Sequence, residues 1–297
     1  MTPLDGQLAL PFDAPAGPPV ARPRSTQRGR LVLVDLRGEI HRQWHGLSAA
    51  GYQPAPSIGA DVCKSVRRLG NFLLGRTVSP DLVCVDDGDE PTWRHREWPA
   101  YKAHRKPNEE LSLALPSVRE ALRHEGHRVV RVPDREADDV IATLTRLAVE
   151  ARQPVCIVSS DKDLLQLVNE QRRVWVYDAR KDLSYATDED VIQRIGVAPL
   201  QVASYLALAG DASDGLSGVP GIGPKGAISL LSTYGTFDAV ILCAKNGVYM
   251  AKGHRQKLVA NAELARTMLR LVTIDSNVEL ADELLEELQI HQPGGKK

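Results

Sequence analysis

The chain has 297 residues, 43% of them hydrophobic, with 37 Lys and Arg against 38 Asp and Glu. That apolar share supplies a real core, while a net charge of −1 excludes the bulk basicity of a non-specific nucleic-acid binder; such contacts must come from local patches. No apolar run reaches the roughly 18 residues of a membrane span, and the first residues lack a signal peptide's basic-then-apolar order.

Residues 1–29 form a tail carrying six prolines (Pro3, Pro11, Pro15, Pro18, Pro19, Pro23), a composition expected to stay disordered. Its one apolar stretch, Gln7-Leu8-Ala9-Leu10-Pro11-Phe12, resembles the short peptide by which bacterial replication and repair proteins dock into a sliding clamp, with Gln7, Leu10 and Phe12 as anchors. An incidental apolar patch in a linker explains the stretch equally well. Binding of a peptide of residues 1–20 to a bacterial clamp separates the two.

Order is expected from Arg30. Leu31–Val34 reads as a buried strand ending in Asp35, and residues 58–75 carry helical periodicity through Val62, Val66, Leu69 and Leu73. Leu82–Val85 is a second strand, ending in Asp86-Asp87. Val129–Val132 is a third, feeding Asp134-Arg135-Glu136-Ala137-Asp138-Asp139. Val155–Val158 stops at Ser159-Ser160 and delivers Asp161 and Asp163, with a helical run from Leu164 to Val168. Val174–Tyr177 ends in Asp178. Short β-branched runs alternating with helices predict a parallel sheet covered on both faces. The carboxyl edge of such a sheet faces the ligand crevice. Of the four cysteines, Cys84 and Cys156 fall inside these strands; with Cys63 and Cys243 they read as free thiols in a reducing cytoplasm, not as disulfides or zinc ligands.

Residues 93–106 carry five Lys/Arg (Arg94, Arg96, Lys102, Arg105, Lys106) with Trp93, Trp98 and Tyr101 interleaved. At helical spacing Trp98, Lys102 and Arg105 share a side. Cations with aromatics suit single-stranded nucleic acid, phosphates meeting charge and bases stacking; a solvated basic helix with its aromatics on the core is the bland alternative. After Val197 an apolar helix, Pro199–Ala209, leads through Asp211 and Asp214 to Gly218-Val219-Pro220-Gly221-Ile222-Gly223-Pro224-Lys225, which opens a helix to Tyr234. A glycine-rich turn between two helices reads as a helix-hairpin-helix, whose backbone N–H groups approach a phosphate with Lys225 beside them.

Asp35, Asp86, Glu136, Asp138, Asp139, Asp161 and Asp163 thus collect at one sheet edge, with Asp211 and Asp214 close by in sequence to the hairpin. So many carboxylates repel one another unless divalent cations bind. Oxygen ligands favour Mg²⁺ or Mn²⁺. Two such ions activate a water and stabilise the leaving oxygen of a phosphodiester.

These stretches, LVLVD (31–35), LVCVD (82–86), YKAHRKPNEEL (101–111), EADDVIATL (136–144), SSDKDLLQLV (159–168) and YLALAGDASDGLSGVPGIGPKGA (205–227), resemble the 5′-nuclease family of polymerase I-type 5′→3′ exonuclease domains and flap endonucleases. The resemblance implies an α/β, PIN-like or resolvase-like core with a helical arch over residues 30–196. It implies a helix-hairpin-helix DNA-binding region over 197–291, with 292–297 a short tail. It implies that all nine acids belong to the metal sites, with Asp211 and Asp214 completing the second; our own division puts Asp35, Asp86, Glu136 and Asp138 around one ion and Asp139, Asp161, Asp163, Asp211 and Asp214 around the second. It assigns Tyr101, Lys102 and Arg105 to the arch, the lysine and arginine steering the scissile phosphate. Gly218, Gly221, Gly223 and Lys225 fall to a hairpin that grips duplex DNA and holds K⁺ through carbonyls, and Arg42 becomes a basic DNA contact. The chain departs from the family at Asp35-Leu36-Arg37-Gly38, where relatives continue Asp-Gly-Ser, and at Asp87, where they often have a small residue. An arginine so near the metals has two readings, lowering metal affinity or binding the 5′ end.

The expectation is a stand-alone, monomeric, cytoplasmic and nucleoid-associated 5′ nuclease acting on DNA ends and flaps. Its rivals are a structure-selective RNase, disfavoured by the hairpin, and a non-catalytic junction-binding protein, which gains nothing from the crowded acids.

Overall fold

The computed structural model describes residues 29–54, 57–88, 91–247 and 250–287. The tail motif at Gln7, Leu10 and Phe12 and segment 292–297 lie outside them.

The first half alternates strand and helix: β1 (Leu31–Asp35), α1 (Leu36–Ala49), α2 (Ile58–Leu74), β2 (Leu82–Asp86), α3 (Trp93–Glu97), α4 (Glu109–His124), β3 (Arg128–Arg131), α5 (Ala137–Glu150), β4 (Val155–Val158) and β5 (Val174–Asp178). A three-residue strand β6 (Leu183–Tyr185) follows, then helices α6 (Asp188–Ile195), α7 (Val202–Ala209), α8 (Pro224–Tyr234), α9 (Phe237–Asn246), α10 (Lys252–Ala260), α11 (Ala262–Val272) and α12 (Asp282–Glu287).

The sheet order is β3-β2-β1-β4-β5-β6, parallel except for the antiparallel edge strand β6. The expected parallel sheet is therefore mixed at one edge; β6 is too short to leave a sequence pattern. The chain runs from β1 to β2 and β3 on one side, then returns to β4 and β5 on the other. This reversal between β1 and β4 opens the crevice at their carboxyl ends.

Two cores cover the sheet. Leu36, Ile40, Val62, Val66, Val118 and Leu122 from α1, α2 and α4 bury one face. On the other, Val140, Ile141 and Leu144 of α5 share a continuous core with Leu206, Leu208, Leu231, Val240 and Met268. The C-terminal helices are thus welded to the sheet, each fully buried aliphatic side chain contributing roughly 1.5–3 kcal/mol.

Two helical expectations are corrected. The run after β4 is a single 3-10 turn, Asp163–Leu167. The basic segment 93–106 is helical only through Glu97, because Pro99 disfavours the helical conformation at Trp98, which is extended (φ −134°, ψ 92°). Lys102 then takes φ 52° and its N–H donates to Asp214 O at 2.8 Å, tying this segment to the loop after α7.

The hairpin begins with an interlock of two glycines. Gly210 (φ 85°) and Gly218 (φ 62°) lie so close that a Cβ on Gly218 would stand 2.3 Å from Gly210 N. Asp211 and Leu216 exchange both backbone hydrogen bonds at 2.8 Å, and Val219 N–H donates to Leu208 O at 2.9 Å. Gly223 and Pro224 then start α8, whose first N–H groups have no capping side chain.

Candidate active site

Each acid reaches the crevice for a local reason. Asp35 ends β1 and caps α1, accepting Gly38 N–H at 2.9 Å, while Ser159 after β4 donates its hydroxyl to the other oxygen at 2.8 Å. The switch point is thereby stitched across β1 and β4. Ser159 Oγ also accepts Asp161 N–H at 3.0 Å, and Asp161 Oδ1 accepts Asp163 N–H at 2.9 Å, a nested turn that sets both aspartates at the strand's end. Glu136 and Asp138 come from the start of α5, Asp211 and Asp214 from the loop after α7.

Two lobes result. In one, one carboxylate oxygen from each of Asp163, Asp211 and Asp214 lies within 4.8 Å of the other two. An octahedral ion with bonds of about 2.1 Å spaces its oxygens roughly 3–4 Å apart, so a small side-chain movement closes this triad on Mg²⁺ or Mn²⁺. Asp163 Oδ1 is buried with no hydrogen-bond partner, and an ion at the triad would complete it. In the other lobe Asp35, Asp138 and Asp161 feel one another's charge. Asp161 also acts on Asp163 and so joins the lobes.

The chain supplies its own cations here. Lys162 Nζ lies 2.7 Å from Asp211 Oδ2 and 3.5 Å from Asp163 Oδ1. Lys102 Nζ donates to Glu136 at 2.6 Å, and Arg105 to Asp214 at 2.6 Å. Arg37 and Arg119 each take one oxygen of the fully buried Asp86, at 3.3 and 2.8 Å.

Burial is the first cause of perturbed acidity. It pushes Asp35 up to about 6 against the hydrogen bonds from Gly38 and Ser159. With the Asp161 charge it pushes Asp163 up to about 8, and it raises Asp138 well above the ordinary range, helped by Asp161 and Asp35. Burial also opposes the charge of Asp211, but its bonds from Lys162 and Ser213 outweigh it and hold the group low; Lys102 and Arg94 do the same for Glu136.

The raised groups bind protons in the folded chain that the unfolded chain has released, in the window from about pH 4, the unfolded value, to the folded values near 6 and 8. Their contribution to stability is therefore present at low pH and lost as pH rises through that window. The depressed Asp211 and Glu136 act below it. In chelator, the urea midpoint is expected to fall from pH 5 to pH 8, and millimolar Mg²⁺ to restore more stability at pH 8 than at pH 5. Equal restoration at both pH values would contradict this.

Five of the predicted site features meet partners from within the chain. Arg94 grips both oxygens of Asp139 at 2.7 Å, and Trp93 Nε1 (3.2 Å) and Asp275 N–H (2.9 Å) complete them. Asp86 is likewise paired, with two guanidinium groups. Tyr101 does not offer its ring to a base, since it is buried, its hydroxyl 3.0 Å from both Glu136 Oε2 and Asp214 Oδ2. Arg42 points its guanidinium at Glu39 (2.7 and 2.9 Å) and Ser65 (2.8 Å). At the hairpin, Lys257 Nζ donates to Gly221 O at 2.7 Å, so one carbonyl expected to hold K⁺ carries a cation of the chain's own.

Sequence reasoning passed over Lys162, Arg94 and Arg119 as partners of the acids. The alternation Asp161-Lys162-Asp163 was a usable signal for the first. Arg94 was read only as one charge of a basic run, and Arg119, 33 residues from Asp86, left no signal.

Carboxylates gathered at the switch point of a resolvase-like sheet, beside a glycine hairpin that opens a helix, define the class: a metal-dependent phosphodiester hydrolase. The matching family models are the 5'-3' exonuclease N-terminal resolvase-like domain over residues 30–196 and the 5'-3' exonuclease C-terminal SAM fold over 197–295, and the chain belongs to the 5'-3' exonuclease family. It is 37% identical to a 5'-3' exonuclease of Mycoplasma pneumoniae over 72% of this chain and 74% of the relative. It is 36% identical to the flap endonuclease Xni of Shewanella pealeana over 89% and 98%. Against DNA polymerase I of Rhizobium leguminosarum the identity is 36% over 92% of this chain, which spans 27% of that relative's length. Among solved structures, a T5 5'-exonuclease with bound divalent zinc ions has the same fold (TM-score 0.71, 21% identity, 83% of this chain and 90% of that one).

Proposed function

We propose that this 5'-3' exonuclease cuts DNA phosphodiesters at 5′ ends and 5′ flaps with two or more Mg²⁺ or Mn²⁺ ions. One ion falls to Asp163, Asp211 and Asp214, the other to Asp35, Asp138 and Asp161, with Glu136 and Asp86 beside them. The observation that carries the reading is the convergence of three carboxylates within 4.8 Å of one another, with Asp163 Oδ1 buried and lacking a hydrogen bond. When bound, such ions lower the pKa of a water and stabilise the charge on a leaving oxygen.

The chain's own groups do the rest. Neutralising the acids frees Lys102 and Arg105 from Glu136 and Asp214, and both then turn to the scissile phosphate. Tyr101, locked between Glu136 and Asp214, is a strut that keeps the arch segment over the acids. The uncapped start of α8, with Gly218, Gly221, Gly223 and Lys225, binds the backbone of the duplex away from the cut. Sliding-clamp docking through Gln7, Leu10 and Phe12 rests on the motif alone.

A 5′-labelled flap DNA tests the reading beside an RNA of the same shape. Short labelled products from the DNA, dependent on Mg²⁺ and lost in chelator, are expected. Cleavage of the RNA in preference, or DNA cleavage indifferent to divalent ions, overturns it.

A further inference from the structure

Asp86 is fully buried, and both its oxygens are taken by guanidinium groups, one from Arg37 and one from Arg119. The two holds are unequal. Arg119 Nη1 sits at 2.8 Å and its side chain is 15% exposed; Arg37 reaches Asp86 through Nε at 3.3 Å and is 29% exposed. Arg37 Nε is also 3.7 Å from Asp87 Oδ2, the second acid at the end of β2. An ion entering beside Asp86 has to displace one of these cations, and the longer, more exposed contact is the one that yields.

Arg37 has a second place to go. It rises from the first turn of α1 on the side where His41 and Arg105 stand close enough for their charges to act on one another. The charges of Lys102 and Arg37 both act on Asp87. Three cations therefore lie along the acids, Lys102 and Arg105 of the arch segment paired with Glu136 and Asp214, and Arg37 of α1 paired with Asp86 and Asp87. A guanidinium released there meets an incoming phosphate in the fork geometry that suits it.

We propose that Arg37 is an exchangeable counter-ion: it holds the place of a divalent ion at Asp86 in the free enzyme and, once an ion has displaced it, becomes a phosphate contact for the 5′ strand. This rests on the metal-dependent reading above. It makes metal loading and DNA binding mutually reinforcing through one side chain, and it sets a higher ion requirement than the carboxylates alone would give.

Mn²⁺ titrated into the whole, DNA-free chain and followed by calorimetry tests the first half. Arg37→Gln is expected to bind Mn²⁺ roughly five- to tenfold tighter than the wild type, because one competing positive charge is gone. Equal or weaker binding by a folded Arg37→Gln overturns the inference. Failure of the wild type to bind Mn²⁺ at all overturns the metal reading and this inference with it.

Flap-DNA affinity tests the second half, measured with Ca²⁺, whose looser coordination disfavours turnover, and again in chelator. Arg37→Gln is expected to lose about threefold to tenfold in affinity with Ca²⁺ and nothing in chelator, where Arg37 is held by Asp86. The same loss in both conditions, or none in either, means a static contact or no contact, and overturns the exchange. Arg37→Lys, which keeps the charge without the fork, is expected to restore the Mn²⁺ requirement but not the DNA affinity.

Discussion

Asp163→Asn is expected to lower kcat on a 5′-flap DNA by three orders of magnitude or more, about 4 kcal/mol in activation free energy, with the fold intact. The substitution keeps the size of the side chain but removes the charge from the acid whose Oδ1 has no hydrogen-bond partner. Burial and the Asp161 charge already push this group up to about 8, so the neutral form is easily accommodated and metal-free stability should rise slightly above pH 6. Single-turnover kinetics at saturating Mg²⁺, paired with a thermal melt in chelator, check both halves. A variant within tenfold of the wild-type rate would remove the Asp163, Asp211 and Asp214 triad from the chemistry.

The second large effect is on stability. Arg94→Met should destabilise the chain by about 3–5 kcal/mol, the range for stripping one partner from a buried ion pair. The buried Arg94 guanidinium is the hub between the halves of the molecule. It holds both oxygens of Asp139 and one of Glu136, and donates to Leu271 O at 2.8 Å and Thr273 O at 3.3 Å. Removing it takes from Asp139 and Glu136 their buried guanidinium, leaving Asp139 only Trp93 and a backbone N–H, and strips a donor from two carbonyls. Adding Asp139→Leu should recover part of the loss, because one stranded charge goes with it. Urea unfolding of the wild type, both single variants and the double variant gives the coupling directly. Additive losses would mean that the pair does not act as a unit.

The contrast between Asp163 and Asp139 explains how much was legible beforehand. The apolar runs behind Asp35, Asp86, Glu136 and Asp161 are continuous and β-branched, so the strands and the edge on which their acids gather could be read from pattern alone. What the pattern could not give was each acid's partner. Asp138 and Asp139 are neighbours in sequence, yet the 100° turn between successive helical residues sends the second into the core, where Arg94 awaits it. Asp86 meets Arg37 and Arg119 only because α1 and α4 pack on the same sheet face. Trp98, Lys102 and Arg105 looked like one side of a helix; Pro99 and the positive φ of Lys102 turn that stretch into a strap over Asp214. Periodicity is local, whereas ion pairing is settled by packing.

The glycine interlock ahead of the hairpin has a consequence for where a strand is severed. Because Gly210 and Gly218 meet without a side chain between them, and Asp211 and Leu216 are bonded reciprocally, the loop bearing two acids and the turn that opens α8 move as one piece. On the proposed reading of the hairpin as a DNA clasp, the interval between the nucleotide held and the bond cut is set by the main chain and not by a side-chain rotamer.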